Sequence, residues 1–172
     1  MPLSFSRASF YCSPLVLLAL LMWPAIGAAN DLSRINALKI AYVYNFTKFI
    51  SWKNPRAETF NICLLSQNRA MRAGFLALAR KSVQEIPVNI LNVDPSAHVD
   101  SCQVLFVGDR TADLSGLDTT GALVITDQDH IDAQIHFKII SNKLRFNIHR
   151  AEMEAKGLGI SSKLLRLAYE VY

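Results

Sequence analysis

The densest gathering of side chains that could do chemistry is the segment TDQDHID, where Asp127, Asp129, His130 and Asp132 crowd together shortly before His136. Carboxylates at alternate positions, with His136 and a more distant His149 that a fold could bring near, form the kind of donor set that ligates a cation. The spacing resembles the opening of a calcium loop. The glycine at the sixth position and the distal bidentate glutamate of such a loop are missing, so a solvated loop after a strand is the better reading and no metal is expected. There is no GxSxG, GxGxxG or P-loop; Ser161 and Ser162 follow a glycine turn and are better explained as a helix cap. No nucleophile, base and orienting group can be assembled from these motifs, so no enzyme and no cofactor are expected.

The remaining reactive groups are thiols, and their chemistry depends on compartment. Arg7, the apolar run Leu15 to Met22 and the small residues Ala25 to Ala29 read as a secretory signal peptide over residues 1–29, leaving a single domain over residues 30–172. The apolar run is shorter than the ~20 residues of a spanning helix, and Pro24 interrupts it. Cys12 leaves with the leader, so the exported chain holds Cys63 and Cys102. In an oxidising compartment they could pair, closing a loop of about forty residues that the chain-entropy model values at roughly 4 kcal/mol. The alternative is two buried free thiols that only fill space. The net charge of +4 is diffuse, with no basic run, which argues against nucleic acid as a partner.

The elements that must position these groups alternate along the chain. From Ser33 to Trp52, Ile35, Leu38, Tyr42, Phe46 and Phe49 recur at steps of three and four, with Val43 and Ile50 widening the stripe and Tyr44, Lys39 and Lys48 off it. Strands are expected at Thr59 to Leu65, Val88 to Val93, within CQVLFVG, at Ala122 to Thr126, Ile135 to Ile139 and Leu144 to Ile148, with a helix from about Arg69 to Arg80. His149 and Glu152 suggest a capping box for a short helix ending at Gly157. A closing helix then carries Leu164, Leu165, Ala168 and Val171 inward. This order predicts an α/β three-layer sandwich: a mostly parallel, Rossmann- or flavodoxin-like sheet with an antiparallel edge around Ser141 and Asn142, and helices on both faces. A ligand crevice in such a sheet lies at the turns Ser66 to Arg69, Gly108 to Thr111 and Thr126 to Asp132.

The segments AYVYNFTKFISW, CQVLFVG and LRFNIHRAEMEAKGLGISSKLLRLA, in this order and spacing, resemble the YfiR-like periplasmic proteins over nearly the whole exported chain. The resemblance implies an exported α/β domain, often a homodimer, that binds the periplasmic sensor part of an inner-membrane diguanylate cyclase and represses cyclic-di-GMP synthesis. It implies a regulator without chemistry of its own. Cys63 and Cys102 match a family disulfide pair whose state tunes stability, and the last helix becomes a partner surface with Leu165, Leu167 and Tyr172, joined by Tyr44. The competing expectation is a periplasmic small-molecule-binding module that signals to a membrane sensor kinase or transporter, using a crevice near Ser66, Gly108 and Asp127.

Overall fold

The computed structural model describes residues 27–52, 58–96, 98–108 and 110–172; most of the expected leader, residues 1–26, lies outside the described residues. In chain order the elements are helix α1 (Gly27–Phe46), strands β1 (Ile50–Ser51) and β2 (Phe60–Leu65), and helix α2 (Arg69–Leu76), which tightens into a 3₁₀ turn (Ala77–Arg80). Strands β3 (Ser82–Val83), β4 (Ile86–Asn92), β5 (Val104–Val107), β6 (Leu123–Thr126), β7 (Ile135–Ile140) and β8 (Lys143–Ile148) follow. Helix α3 (Arg150–Ala155), strand β9 (Gly159–Ile160), helix α4 (Ser162–Leu165) and strand β10 (Glu170–Val171) complete the fold.

The eight-stranded sheet runs in the order β10-β8-β7-β6-β5-β2-β4-β3, and β1 with β9 forms a separate two-stranded ribbon. From β4 through β2, β5 and β6 to β7 every pairing is parallel. Within this sheet the antiparallel pairs are β7 with β8 and β3 with β4, and the β1–β9 ribbon is antiparallel as well. Both hairpins turn through two residues in the left-handed region, Ser141 and Asn142 (φ 48° and 60°) and Gln84 and Glu85 (φ 49° and 69°). Two consecutive positive φ values match the right-handed twist of the strands they join. The first turn is where the sequence places it; Gln-Glu at the second carries no glycine or asparagine signal.

Strands β5 and β6 are buried on both faces along their whole length, as their continuous apolar runs require. One face meets α1 and α2. There Phe46 stacks on Phe137 and meets Phe146 at a tilt, with ring centroids 5.9 and 4.8 Å apart, Tyr42 lies 5.7 Å from Phe146, and Phe75 meets Phe106 at 5.2 Å. α1 and α2 approach closely at Gly74, where an added Cβ would fall 2.4 Å from the Ile40 side chain. That contact turns Ile40, Val43 and Phe46 inward and leaves Leu38 exposed, a rotation of the expected stripe. Lys39, expected off the stripe, is mostly buried in an ion pair with Asp127.

The opposite face is covered by loops: Val99, Cys102, Ala112, Ile131 and Ala133 close over Cys63, Leu105, Val107 and Val124. A disulfide joins Cys63 of β2 to Cys102 in this cover, with Cα atoms 5.8 Å apart and a sequence separation of 39.

The closing segment departs from expectation in two places. The helix expected through Val171 stops at Leu165, and residues after Ala168 extend as β10 in parallel with β8. Tyr169 N–H donates to the Phe146 carbonyl at 2.8 Å and Tyr172 N–H to Ile148 at 2.9 Å, so the tail satisfies backbone groups that β8 would otherwise expose as an edge. The aromatic and β-branched tail favours this pairing over further helix. The capping box does not form either: His149 N–H donates to Gln134 at 2.9 Å, and neither the His149 nor the Ser161 side chain caps its helix. The end of α3 follows the sequence closely. Gly157 (φ 72°) donates to Glu154, and Leu158 donates to Met153, both at 2.9 Å, the double closure that a glycine after a helix permits.

Replacing Cys63 and Cys102 together by alanine should lower the unfolding free energy by about 3–4 kcal/mol in urea titrations. A loss below about 1 kcal/mol would show that the loop layer holds without its covalent tie.

Candidate functional site

On the loop-covered face the sheet changes character towards its β10 edge. Register places His136 of β7 opposite Asn147 of β8, and Asn147 beside Glu170 of β10, giving a polar row across three strands. Asn147 Nδ2 donates to Glu170 Oε2 at 2.8 Å, and the Tyr172 hydroxyl donates to the same oxygen at 2.5 Å. The Tyr172 ring stacks on His149 with centroids 4.9 Å apart, and His149 lies 5.4 Å from His136. The loop after β6 supplies Asp129 and Asp132, β7 adds Lys138, and α3 adds Glu152. With the exception of Glu170, which stands behind Asn147, these groups line a cavity of about 280 Å³.

The charges around the cavity are largely fixed. Lys138 Nζ pairs with Asp129, and this contact holds the Asp129 carboxyl below the ordinary carboxylate range. Glu152 accepts from Gln134 Nε2 at 3.2 Å, while the buried Gln134 accepts Val124 N–H through Oε1 at 3.0 Å, which fastens α3 to β6. His149 Nδ1 lies 3.8 Å from Glu152. Burial pushes the His136 imidazole below its ordinary pKa, helped by His149 and Lys138 and opposed by the Ala133 carbonyl and Asp129. His136 is therefore neutral at pH 7. Asn147 is only 7% exposed, and its Oδ1 has no hydrogen-bond partner.

The segment TDQDHID is split by this geometry. Asp129 and Asp132 line the cavity, His130 is exposed, and Asp127 turns away to pair with Lys39 of α1. His136 and His149 do come together as the sequence allows. Among the described residues, no three His, Cys, Asp or Glu side chains converge on a position for a metal ion. Groups at the other turns serve the fold. Ser66 Oγ accepts from Asn68 N–H, and the Ser66 carbonyl accepts from Arg72 at 2.5 Å, while Gly108 N–H donates to Leu65. Thr126 Oγ1 donates to the Val107 carbonyl at 2.8 Å.

The four expected partner contacts do not form one patch. Leu165 is half-buried against the core, whereas Leu167 and Tyr172 are 64% and 59% exposed beside β10. Tyr44 donates to the Ser82 carbonyl of β3 at 3.0 Å. β3 and β10 are opposite ends of the eight-stranded sheet, roughly 33 Å apart at ordinary strand spacing. Tyr169 and Val171, also exposed, extend the apolar strip beside Leu167. Sequence reasoning named Leu167 and Tyr172 but omitted Tyr169 and turned Val171 inward, because it placed the tail on a helix; the Tyr-Glu-Val-Tyr alternation was the available signal.

A family model described as YfiR/HmsC-like matches residues 36–169, from the middle of α1 to the threshold of β10. The chain belongs to the YfiR/HmsC-like family. Among curated proteins, none matches the chain. In this YfiR/HmsC-like domain the matched span takes in the disulfide, His136, Asn147 and His149, while β10 and Tyr172 lie just beyond it.

A histidine with a depressed folded pKa binds fewer protons folded than unfolded in the window below the ordinary histidine value, so stability falls as pH drops through that value towards the depressed one. The melting temperature should decline as the pH falls through the ordinary histidine value, and decline less in His136→Gln. Parallel curves for the two proteins would assign the acid sensitivity to other groups.

Proposed function

We propose that this chain is an exported negative regulator that binds the periplasmic sensor part of an inner-membrane diguanylate cyclase and represses cyclic-di-GMP synthesis. The observation that carries the reading is the YfiR/HmsC-like match across residues 36–169. The Cys63–Cys102 bridge suits an oxidising compartment. Among the described residues, no helix is long and apolar enough to cross a membrane, which suits a partner that supplies the membrane-spanning part.

The docking surface in this reading is the β10 edge. Leu167, Tyr169 and Val171 expose apolar side chains along a short edge strand, the kind of patch that marks a protein contact, while Tyr172 stacks on His149 at the cavity side of the same tail. Tyr44, at the far edge, lies outside it. Repression is a population shift: the regulator binds the inactive sensor more tightly than the active one, and its loss or unfolding releases the enzyme. Losing the Cys63–Cys102 tie would weaken repression through stability alone.

Deleting the gene should raise cellular cyclic-di-GMP, and restoring the wild-type gene should lower it again. Leu167 is exposed, so Leu167→Asp should stay within about 0.5 kcal/mol of wild type. It should nevertheless fail to repress, while Tyr44→Ala represses normally. Unchanged cyclic-di-GMP on deletion would contradict the function, and full repression by a folded Leu167→Asp protein would contradict the surface.

A further inference from the structure

We propose that the cavity beneath β10 is a binding site for a small organic cation that donates N–H bonds, with a primary ammonium as its simplest form. The first argument is Asn147. Its Nδ2 is committed to the Glu170 carboxylate, which fixes the amide orientation, and its Oδ1 is buried without a donor. A buried carbonyl oxygen left unpaired costs about 1–3 kcal/mol, and a ligand N–H would remove that cost. Asn147 is also one of the residues that line the cavity.

The second argument is charge. The acidic side chains of Asp129, Asp132 and Glu152 line the site, with Glu170 bonded to Asn147 behind it, while the cation that lines it, Lys138, is already paired with Asp129. Arg150, at the start of α3, is held by Glu154 at 2.7 Å, and Arg145 sits opposite Lys138, one row further along the sheet. An anion would meet a surplus of negative charge here; a cation meets its complement. The third argument is the wall formed by Tyr172 stacked on His149, since an aromatic face attracts a cation through its quadrupole. The volume of about 280 Å³ suits a ligand of a few heavy atoms.

The site has a mechanical consequence. Glu170 and Tyr172 belong to the β10 tail and bond to the Asn147 side chain or stack beside it. A ligand held by these groups fastens the tail to β8, so occupancy and the position of the exposed strip next to it are coupled. Binding itself depends on no particular partner or output.

The test compares three molecules with one alkyl chain, n-butylammonium, n-butanol and butyrate, titrated into the ¹⁵N-labelled, disulfide-bonded protein. Butylammonium should give saturable shifts of the Asn147 side-chain amide and the His136 ring, and the other two should not. Asn147→Leu should weaken the binding by about ten-fold. Glu152→Gln, which keeps an acceptor for Gln134 and removes only charge at a half-exposed position, should weaken it by several-fold, and it keeps the test valid if Asn147→Leu does not fold. Absence of saturable shifts, equal shifts from butyrate or butanol, or unchanged affinity in the folded variants would overturn the proposal.

Discussion

Strands β5 and β6 expose no residue on either side, so the sheet is stable only if both of its faces are covered. The two covers are unequal. On one side α1 supplies Phe46, Val43 and Ile40, and aromatic contacts with Phe137 and Phe146 fill the space between helix and sheet. On the other side the cover is loop, which orders fewer of its own backbone groups than a helix and gains less from local hydrogen bonding. The Cys63–Cys102 bridge is placed where that weakness matters, joining a central strand to the loop that lies over it. A covalent tie restricts the unfolded chain and so favours the folded loop layer without requiring further apolar area.

The loop cover ends at β6, and this sets the site. Past that strand the same face carries His136 and Lys138 on β7, Arg145 and Asn147 on β8 and Glu170 on β10, polar residues in place of an apolar surface packed under a lid. The antiparallel turn at Ser141 and Asn142 brings β8 back beside β7, and the tail from Tyr169 to Tyr172 then pairs with β8. Cavity and exposed apolar strip are therefore two sides of one short strand. The polar side faces the histidines, and the apolar side faces outwards beside Leu167.

Much of this architecture was legible from residue order. Continuous apolar runs marked β5 and β6, alternation marked β7 and β8, and Gly157 marked the end of α3 because its left-handed conformation closes that helix. What escaped depended on contacts between distant segments. Ile40 replaced Leu38 on the buried side of α1 because Gly74 admits a side chain there. Lys39 found Asp127 across 88 positions of sequence. Half of the site was visible, in Asp129, Asp132, His136 and His149. The other half was hidden, because Asn147 reads as an ordinary outward residue until β10 and Tyr172 arrive beside it, and helical spacing in the tail concealed that strand.

On the proposed function, the β10 edge is the face that meets a membrane-bound diguanylate cyclase. A photo-crosslinking amino acid placed at Leu167 or at Tyr44, and activated in intact cells, tests it most directly. With β10 as the docking edge, position 167 should capture an inner-membrane diguanylate cyclase through its periplasmic part and position 44 should not. Capture of such an enzyme from position 44 with none from position 167 would contradict it.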